Sequence, residues 1–191
     1  VPYKKSVIKY LDSLDALAKQ TMAVNTILPV YDGNDKLLSI KGYNTDVFGF
    51  HQMLKPYLKS HHERALILGT GGASSSISHV MKKYNIDVNF ISRFPDPNVN
   101  NVFSWNDLNE HMVEHHLLII NTTPIGMYPN INEIINIPYH AIGKTHLIID
   151  LIYNPKETYF LKNSKKYNAE TLNGHSMLIN QALKAWNIWN P

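Results

Sequence analysis

The residues with the clearest chemical potential form the run Leu68-Gly69-Thr70-Gly71-Gly72-Ala73-Ser74, spelled G-x-G-x-x-S. It follows the continuous apolar stretch Ala65-Leu66-Ile67-Leu68, which reads as a strand buried on both faces. It also opens a helical pattern. In that setting Gly69 permits a tight turn and Gly71 lets a pyrophosphate approach the backbone. Ser74 is small enough for helix and strand to pack closely. Free N–H groups at the helix start would face the phosphates. Gly69, Thr70, Gly71, Gly72 and Ala73 are therefore candidate cofactor-binding residues. A purely structural turn is the rival reading, and the flanking strand and helix weigh against it.

The end of the next strand bears on which dinucleotide is bound. About 20 residues past the glycines, an NAD site places Asp or Glu on the ribose hydroxyls. Here the residues are Ser92-Arg93-Phe94. A carboxylate would repel a 2′-phosphate, whereas the planar fork of Arg93 can pair with one. Ser92 and Arg93 thus favour NADP as cofactor, against the alternative of a solvated surface arginine. Other groups say less alone. Lys4 has an equal neighbour in Lys5, and Asp46 reads as a helix N-cap ahead of Val47, Phe50, Met53 and Leu54. His111 and His115 share a helix face but lack a third ligand, so no metal site is expected. The glycosylation sequon Asn121-Thr122-Thr123 falls at the end of a buried strand and is discounted.

The elements that must hold these groups follow from periodicity. Val7, Ile8, Leu11, Leu14 and Leu17 predict a helix over 5–22. Residues 23–42 read as two strands around the turn signal Tyr31-Asp32-Gly33-Asn34-Asp35. Pro56 and Lys59-Ser60-His61-His62 mark a boundary. Beyond it, short apolar strands (Ala65–Leu68, Val88–Ile91, Leu117–Ile120, Leu147–Ile149) alternate with helical stretches, which indicates a parallel sheet of βαβ units. The segment around Asn98–Asn101 reads as an exposed loop. Met177–Trp189 is an amphipathic helix in which Trp186 and Trp189 are expected to pack. The opening Val1-Pro2-Tyr3 reads like the tail of a strand. The fold class is α/β.

Composition sets outer limits. Hydrophobic residues make up 44% and charged residues 17% of 191, a globular balance. The net charge of +3 is scattered over the chain and does not argue for nucleic acid. With no cysteine, disulfides and thiolate metal sites are excluded, and a cytoplasmic setting is permitted. No apolar run approaches the ~20 residues of a membrane span.

Five segments in order, Val1-Pro2-Tyr3-Lys4, Ala23-Val24-Asn25-Thr26, Gly42-Tyr43-Asn44-Thr45-Asp46, Asn121-Thr122-Thr123-Pro124-Ile125-Gly126-Met127 and Asn173-Gly174…Met177-Leu178…Gln181-Ala182, resemble the shikimate dehydrogenase family. The resemblance covers nearly the whole chain. It implies a Rossmann-type NADP-binding domain at 63–170 and an incomplete α/β substrate domain made of 1–58 and 174–191. It implies reversible NADPH-dependent reduction of 3-dehydroshikimate to shikimate, with Lys4 and Asp46 as the catalytic pair. Asn25, Asp46, Tyr153 and Gln181 would bind the substrate. Thr122, Leu151, Gly174 and Met177 would border the nicotinamide. A homodimer is compatible with it.

Two departures stand out. The family's usual Asn-Arg-Thr phosphate motif is Ser92-Arg93-Phe94 here, where Phe94 could stack on adenine or simply pack. The family's Ser-x-Ser carboxylate-binding segment, which precedes the lysine, is not in this sequence. The isolated chain, with an unpaired sheet edge, is therefore expected to be poorly active. Two rivals remain: a quinate/shikimate dehydrogenase that uses NAD, and a non-catalytic ligand sensor.

Overall fold

A computed structural model describes residues 3–191. The expected strand tail at Val1-Pro2 lies outside the described residues, and Tyr3 sits in a turn. Two sheets organise the chain. The smaller has three strands in the order β1 (Ser13–Leu14), β3 (Leu37–Tyr43), β2 (Thr26–Tyr31). β2 and β3 pair antiparallel across the anticipated turn, and Asp32 closes it by accepting the backbone N–H groups of Asn34 and Lys36 at 2.8 and 2.9 Å. β2 forms one edge of this sheet.

The helix expected over 5–22 is broken into a 3-10 segment, Ser6–Tyr10, and α1, Ala16–Thr21. The cause is the acid-serine pair between them. Asp12 accepts the Ile40 N–H at 2.6 Å, Ser13-Leu14 joins β3 as a parallel strand, and Asp15 caps α1 through Ala18 N–H at 2.8 Å. Asx side chains compete with helix for backbone groups in this way.

The larger sheet is wholly parallel. Its strands are β4 (Arg64–Leu68), β5 (Asp87–Ser92), β6 (Val102–Ser104), β7 (Leu118–Asn121), β8 (Leu147–Asp150) and β9 (Glu170–Asn173). Their spatial order is β6-β5-β4-β7-β8-β9, the doubly wound pattern whose order reverses between the first and fourth strands. That switch point falls between β4 and β7. Both faces are covered, so the central strands are apolar along their length, with polar residues only at their ends: Arg64 at the start of β4, Asn121 at the end of β7 and Asp150 at the end of β8. Ala65, Ile67, Leu118, Ile120, Leu147 and Ile149 form one core, and Leu66, Leu68, Ile119 and Ile148 belong to the other. The first core is completed by α2 (Asp46–Leu54), α3 (Gly72–Lys83) and Met177 of α6 (His175–Trp189). The second is completed by α4 (Glu110–His115) and α5 (Tyr159–Lys165). β6, α5 and β9 are too short or too weakly periodic to stand out in the sequence.

α2 and α6 lie against each other over the first core of the larger sheet, and α6 also touches β2 of the smaller one. Gly49 makes their approach possible. A Cβ built there would come 2.7 Å from the Met177 carbonyl oxygen and 2.9 Å from Gln181 Cβ. Contrary to expectation, Trp186 and Trp189 do not pack fully. They are 61% and 50% exposed, although Trp189 Nε1 donates to the Ile27 carbonyl at 3.0 Å. No helix among the described residues is long and apolar enough to cross a membrane.

Candidate active site

Asp46 is the pivot of the site. It was expected to cap its helix, but it is the first helical residue, and Thr45 holds the cap position. The capping bond comes instead from Asn44 Oδ1, which accepts Val47 N–H at 3.2 Å. Asn44 is buried. Its Nδ2 donates to Thr21 Oγ1 (2.8 Å), the Ala23 carbonyl (3.1 Å) and Ser76 Oγ (2.9 Å). Four segments are thereby tied at one amide, and the Asp46 carboxylate is free to point elsewhere.

The Asp46 carboxylate binds two of the expected partners. Lys4 Nζ donates to Asp46 Oδ2 as an ion pair, and Asn25 Nδ2 donates to Oδ1 at 2.9 Å. The same Asn25 amide donates to Thr45 Oγ1 at 2.9 Å and to Gln181 Oε1 at 3.2 Å. Asn25 Oδ1 accepts Thr45 N–H at 2.9 Å, which fixes the amide's orientation. Lys4, Asn25, Asp46 and Gln181 therefore form one connected cluster. Backbone pairing sets its reach: the Lys4 carbonyl accepts Val24 N–H at 2.8 Å, and Asn25 N–H donates to the Tyr43 carbonyl at 3.1 Å. Lys5, chemically equal to Lys4 in the sequence, is exposed.

The glycine turn abuts this cluster. A Cβ at Gly72 would lie 2.9 Å from Lys4 Cβ, so the lysine stem rests on the first residue of α3. Gly69 has φ of +106°, a left-handed value that favours glycine, and a Cβ there would meet Thr122 Oγ1 at 2.8 Å. Thr122 in turn donates through Oγ1 to the Leu68 carbonyl at 2.8 Å. The loops after β4 and β7 thus meet at the switch point, where ligands of such sheets bind. Among the described residues, a Cβ at Gly71 would meet nothing within 4 Å, and no side chain caps α3. This open glycine cradle with an uncapped helix start fits a pyrophosphate. Buried Ser74 donates to the Gly71 carbonyl at 2.6 Å and closes the turn from behind.

The remaining expected residues fall into separate groups. Ser92 is buried, 3.4 Å from Thr70 Oγ1, and accepts Phe94 N–H at 3.2 Å. Arg93 is exposed, and Phe94 is 86% exposed with the guanidinium 6.0 Å from its ring centre. Phe94 therefore does not pack into the core. Gly174 and Leu151 are pressed together: a Cβ on Gly174 would collide with the Leu151 carbonyl oxygen. Met177 is buried in the core beside them. Tyr153 is 49% exposed, and among the described residues it makes no side-chain hydrogen bond to the Lys4–Asp46 cluster.

Sequence reasoning missed Gly49, although a glycine inside a helical pattern costs about 1 kcal/mol against alanine and so signals a packing need. It also missed the carboxylate of Asp150, whose partners come from three segments. His115 Nδ1 lies 2.8 Å from the His111 carbonyl, and no group of three potential ligands is gathered for a metal among the described residues.

Fold and site define a doubly wound dinucleotide-binding protein with a lysine–carboxylate pair against its glycine turn. A scan against protein-family models gave no match. A shikimate dehydrogenase (NADP(+)) of Methanosphaera stadtmanae is 36% identical over 203 residues, covering 99% of this chain and 70% of the relative. The crystal structure of shikimate dehydrogenase from Aquifex aeolicus matches with a TM-score of 0.84 at 31% identity, over 100% of this chain and 70% of that one. That of the Thermus thermophilus enzyme, in complex with NADP(H) and shikimate, matches at 0.82 and 25% identity, over 99% and 70%. The chain belongs to the shikimate dehydrogenase family, and it spans about 70% of the length of these relatives.

Proposed function

We propose that this chain carries the active site for NADP-dependent reversible reduction of 3-dehydroshikimate to shikimate. The observation that carries the reading is the junction of Lys4, Asp46, Asn25 and Gln181 against Gly72. Gly69 to Ala73 would hold the pyrophosphate, Arg93 and Ser92 the 2′-phosphate, and Thr122, Leu151, Gly174 and Met177 would border the nicotinamide. When bound, NADPH supplies the hydride for the carbonyl carbon.

The chain's own residues handle the oxygen and its proton. As the carbonyl becomes an alcohol, its oxygen takes up negative charge. The Lys4 ammonium stabilises that charge and gives the oxygen a proton. Asp46 holds the ammonium in place and offers its carboxylate to a ring hydroxyl. Asn25 and Gln181 contribute amide groups to neighbouring hydroxyls, and Tyr153 reaches the substrate from the β8 side. In the reverse direction Lys4, once neutral, accepts the hydroxyl proton.

Residues 63–170 act as the cofactor unit, and 1–58 with 174–191 as the substrate unit, with α2 and α6 as the wall between them. The partner is a small anionic molecule rather than nucleic acid, and the setting is cytoplasmic. Steady-state kinetics of the complete protein with shikimate and quinate, each with NADP+ and NAD+, test the reading. The highest kcat/KM is expected for shikimate with NADP+. Arg93→Ala should lower kcat/KM for NADP+ about tenfold or more, the scale of a charge-assisted phosphate contact, and leave NAD+ within about twofold. A preference for quinate with NAD+ would replace this reading with the quinate/shikimate one.

A further inference from the structure

Asp150 ends β8 next to Asn121, its register partner at the end of β7. By strand alternation both side chains lie on the face of Ile148 and Ile119, and both are fully buried. No cation pairs with Asp150 among the described residues; its carboxylate accepts only neutral donors. Oδ1 accepts Asn121 Nδ2 at 2.9 Å and Ile152 N–H at 3.1 Å, and Oδ2 accepts Thr158 Oγ1 at 2.6 Å. The other end of Asn121 continues the chain of bonds. Its Oδ1 accepts both Thr123 N–H and Thr123 Oγ1, at 2.9 and 2.7 Å. Thr158 caps α5. One carboxyl group therefore fixes the first residues after β7 and the first residues after β8.

We propose that Asp150 is a positioning residue for hydride transfer: through Asn121 it sets the Thr122–Thr123 loop, and through Ile152 N–H it sets Leu151. This rests on the functional reading above, in which Thr122 and Leu151 border the nicotinamide. Leu151 is also pinned from its other side by the close approach of Gly174. The group does not touch the reacting atoms; it acts by holding the segments that do. Keeping an ionisable group dry and unpaired is costly. Burial pushes its pKa up from 3.8 to about 6, against the opposing pull of the bonds from Thr158, Ile152 and Asn121. An apolar residue would fill the space without that cost, but it could not bridge two loops.

The test uses the complete protein and three variants. Asp150→Ala removes the bridge. Asp150→Asn keeps a carbonyl oxygen for Asn121 and Ile152 and turns its amide to Thr158, whose hydroxyl can accept. Thr158→Val unseats the α5 cap but leaves the link to Asn121, and so controls for plain loss of stability. Wild-type turnover of shikimate with NADP+ is measured first. Asp150→Ala should lower kcat about tenfold to a hundredfold, the scale of a misplaced reacting group, and raise KM for NADP+. KM for shikimate should move less than twofold or so, because the Lys4 cluster is held separately. Asp150→Asn should recover most of kcat. Thr158→Val should lower Tm while kcat stays within about twofold. An inactive wild type would overturn the functional reading and this inference with it. An active wild type would overturn the inference alone if Asp150→Ala kept its kcat, or if Thr158→Val lost as much.

Discussion

Two carboxylates in this molecule are handled in opposite ways. Asp46, at the start of α2, meets a cation, Lys4, and an amide, Asn25, beside the glycine turn that follows β4. Asp150, at the end of β8, is sealed from solvent and among the described residues meets only a threonine hydroxyl, an amide and a backbone N–H. The first arrangement sets the carboxylate against a cation beside the glycine turn. The second holds backbone segments in place and disfavours charge. On the proposed reading, identical side chains would take a chemical role and a scaffolding role according to whether a cation or a set of neutral donors surrounds them.

Removing the cation is the strongest way to break the contrast. Lys4→Ala should lower kcat about a thousandfold, within the range of a lost proton donor, and should also lower Tm, because it leaves the buried Asp46 carboxylate without its cation. Turnover within a few-fold of wild type would leave Asp46 as another scaffold carboxylate. Next in size, Asp46→Asn should lower kcat about a hundredfold, because the ammonium loses its anchor, whereas Asp150→Asn should not. Equal losses would erase the distinction between the two sites.

A smaller effect is expected at Gly49. Gly49→Ala places a methyl group against the Met177 carbonyl and Gln181. It should raise KM for shikimate about fivefold, a part of the worth of one hydrogen bond. Unchanged KM for shikimate would remove Gln181 from the substrate site.

The smallest effect is in the pH dependence of folding. The Asp150 pKa is raised in the folded chain, so its stabilising effect is complete below 3.8 and is lost as pH rises through about 6. Asp150→Asn does not titrate. Between pH 4.5 and 6.5 its unfolding free energy should gain on wild type by about 1–3 kcal/mol, read from urea curves at the two pH values. Burial lowers the pKa of His62 and His116, which pushes stability the other way, upward with pH. They are common to both proteins and cancel in the difference. A gap that does not move with pH would mean the Asp150 pKa is not raised.

The sequence by itself determined the glycine turn between strand and helix and the parallel sheet, because a strand, turn and helix are encoded in neighbouring residues. Order along the chain likewise fixed the likeness to a known family. It did not show the break of the first helix, since Asp12 acts on Ile40, far along the chain. Nor did it distinguish Lys4 from Lys5, or show that Asn44 would release Asp46 from capping. Those outcomes needed the tertiary structure. Asn25 reaches Gln181 across 156 residues, and Asp150 reaches Asn121 across a strand pair. Such contacts depend on how two helices approach at Gly49 and how two strands register, and short-range spacing carries no record of either.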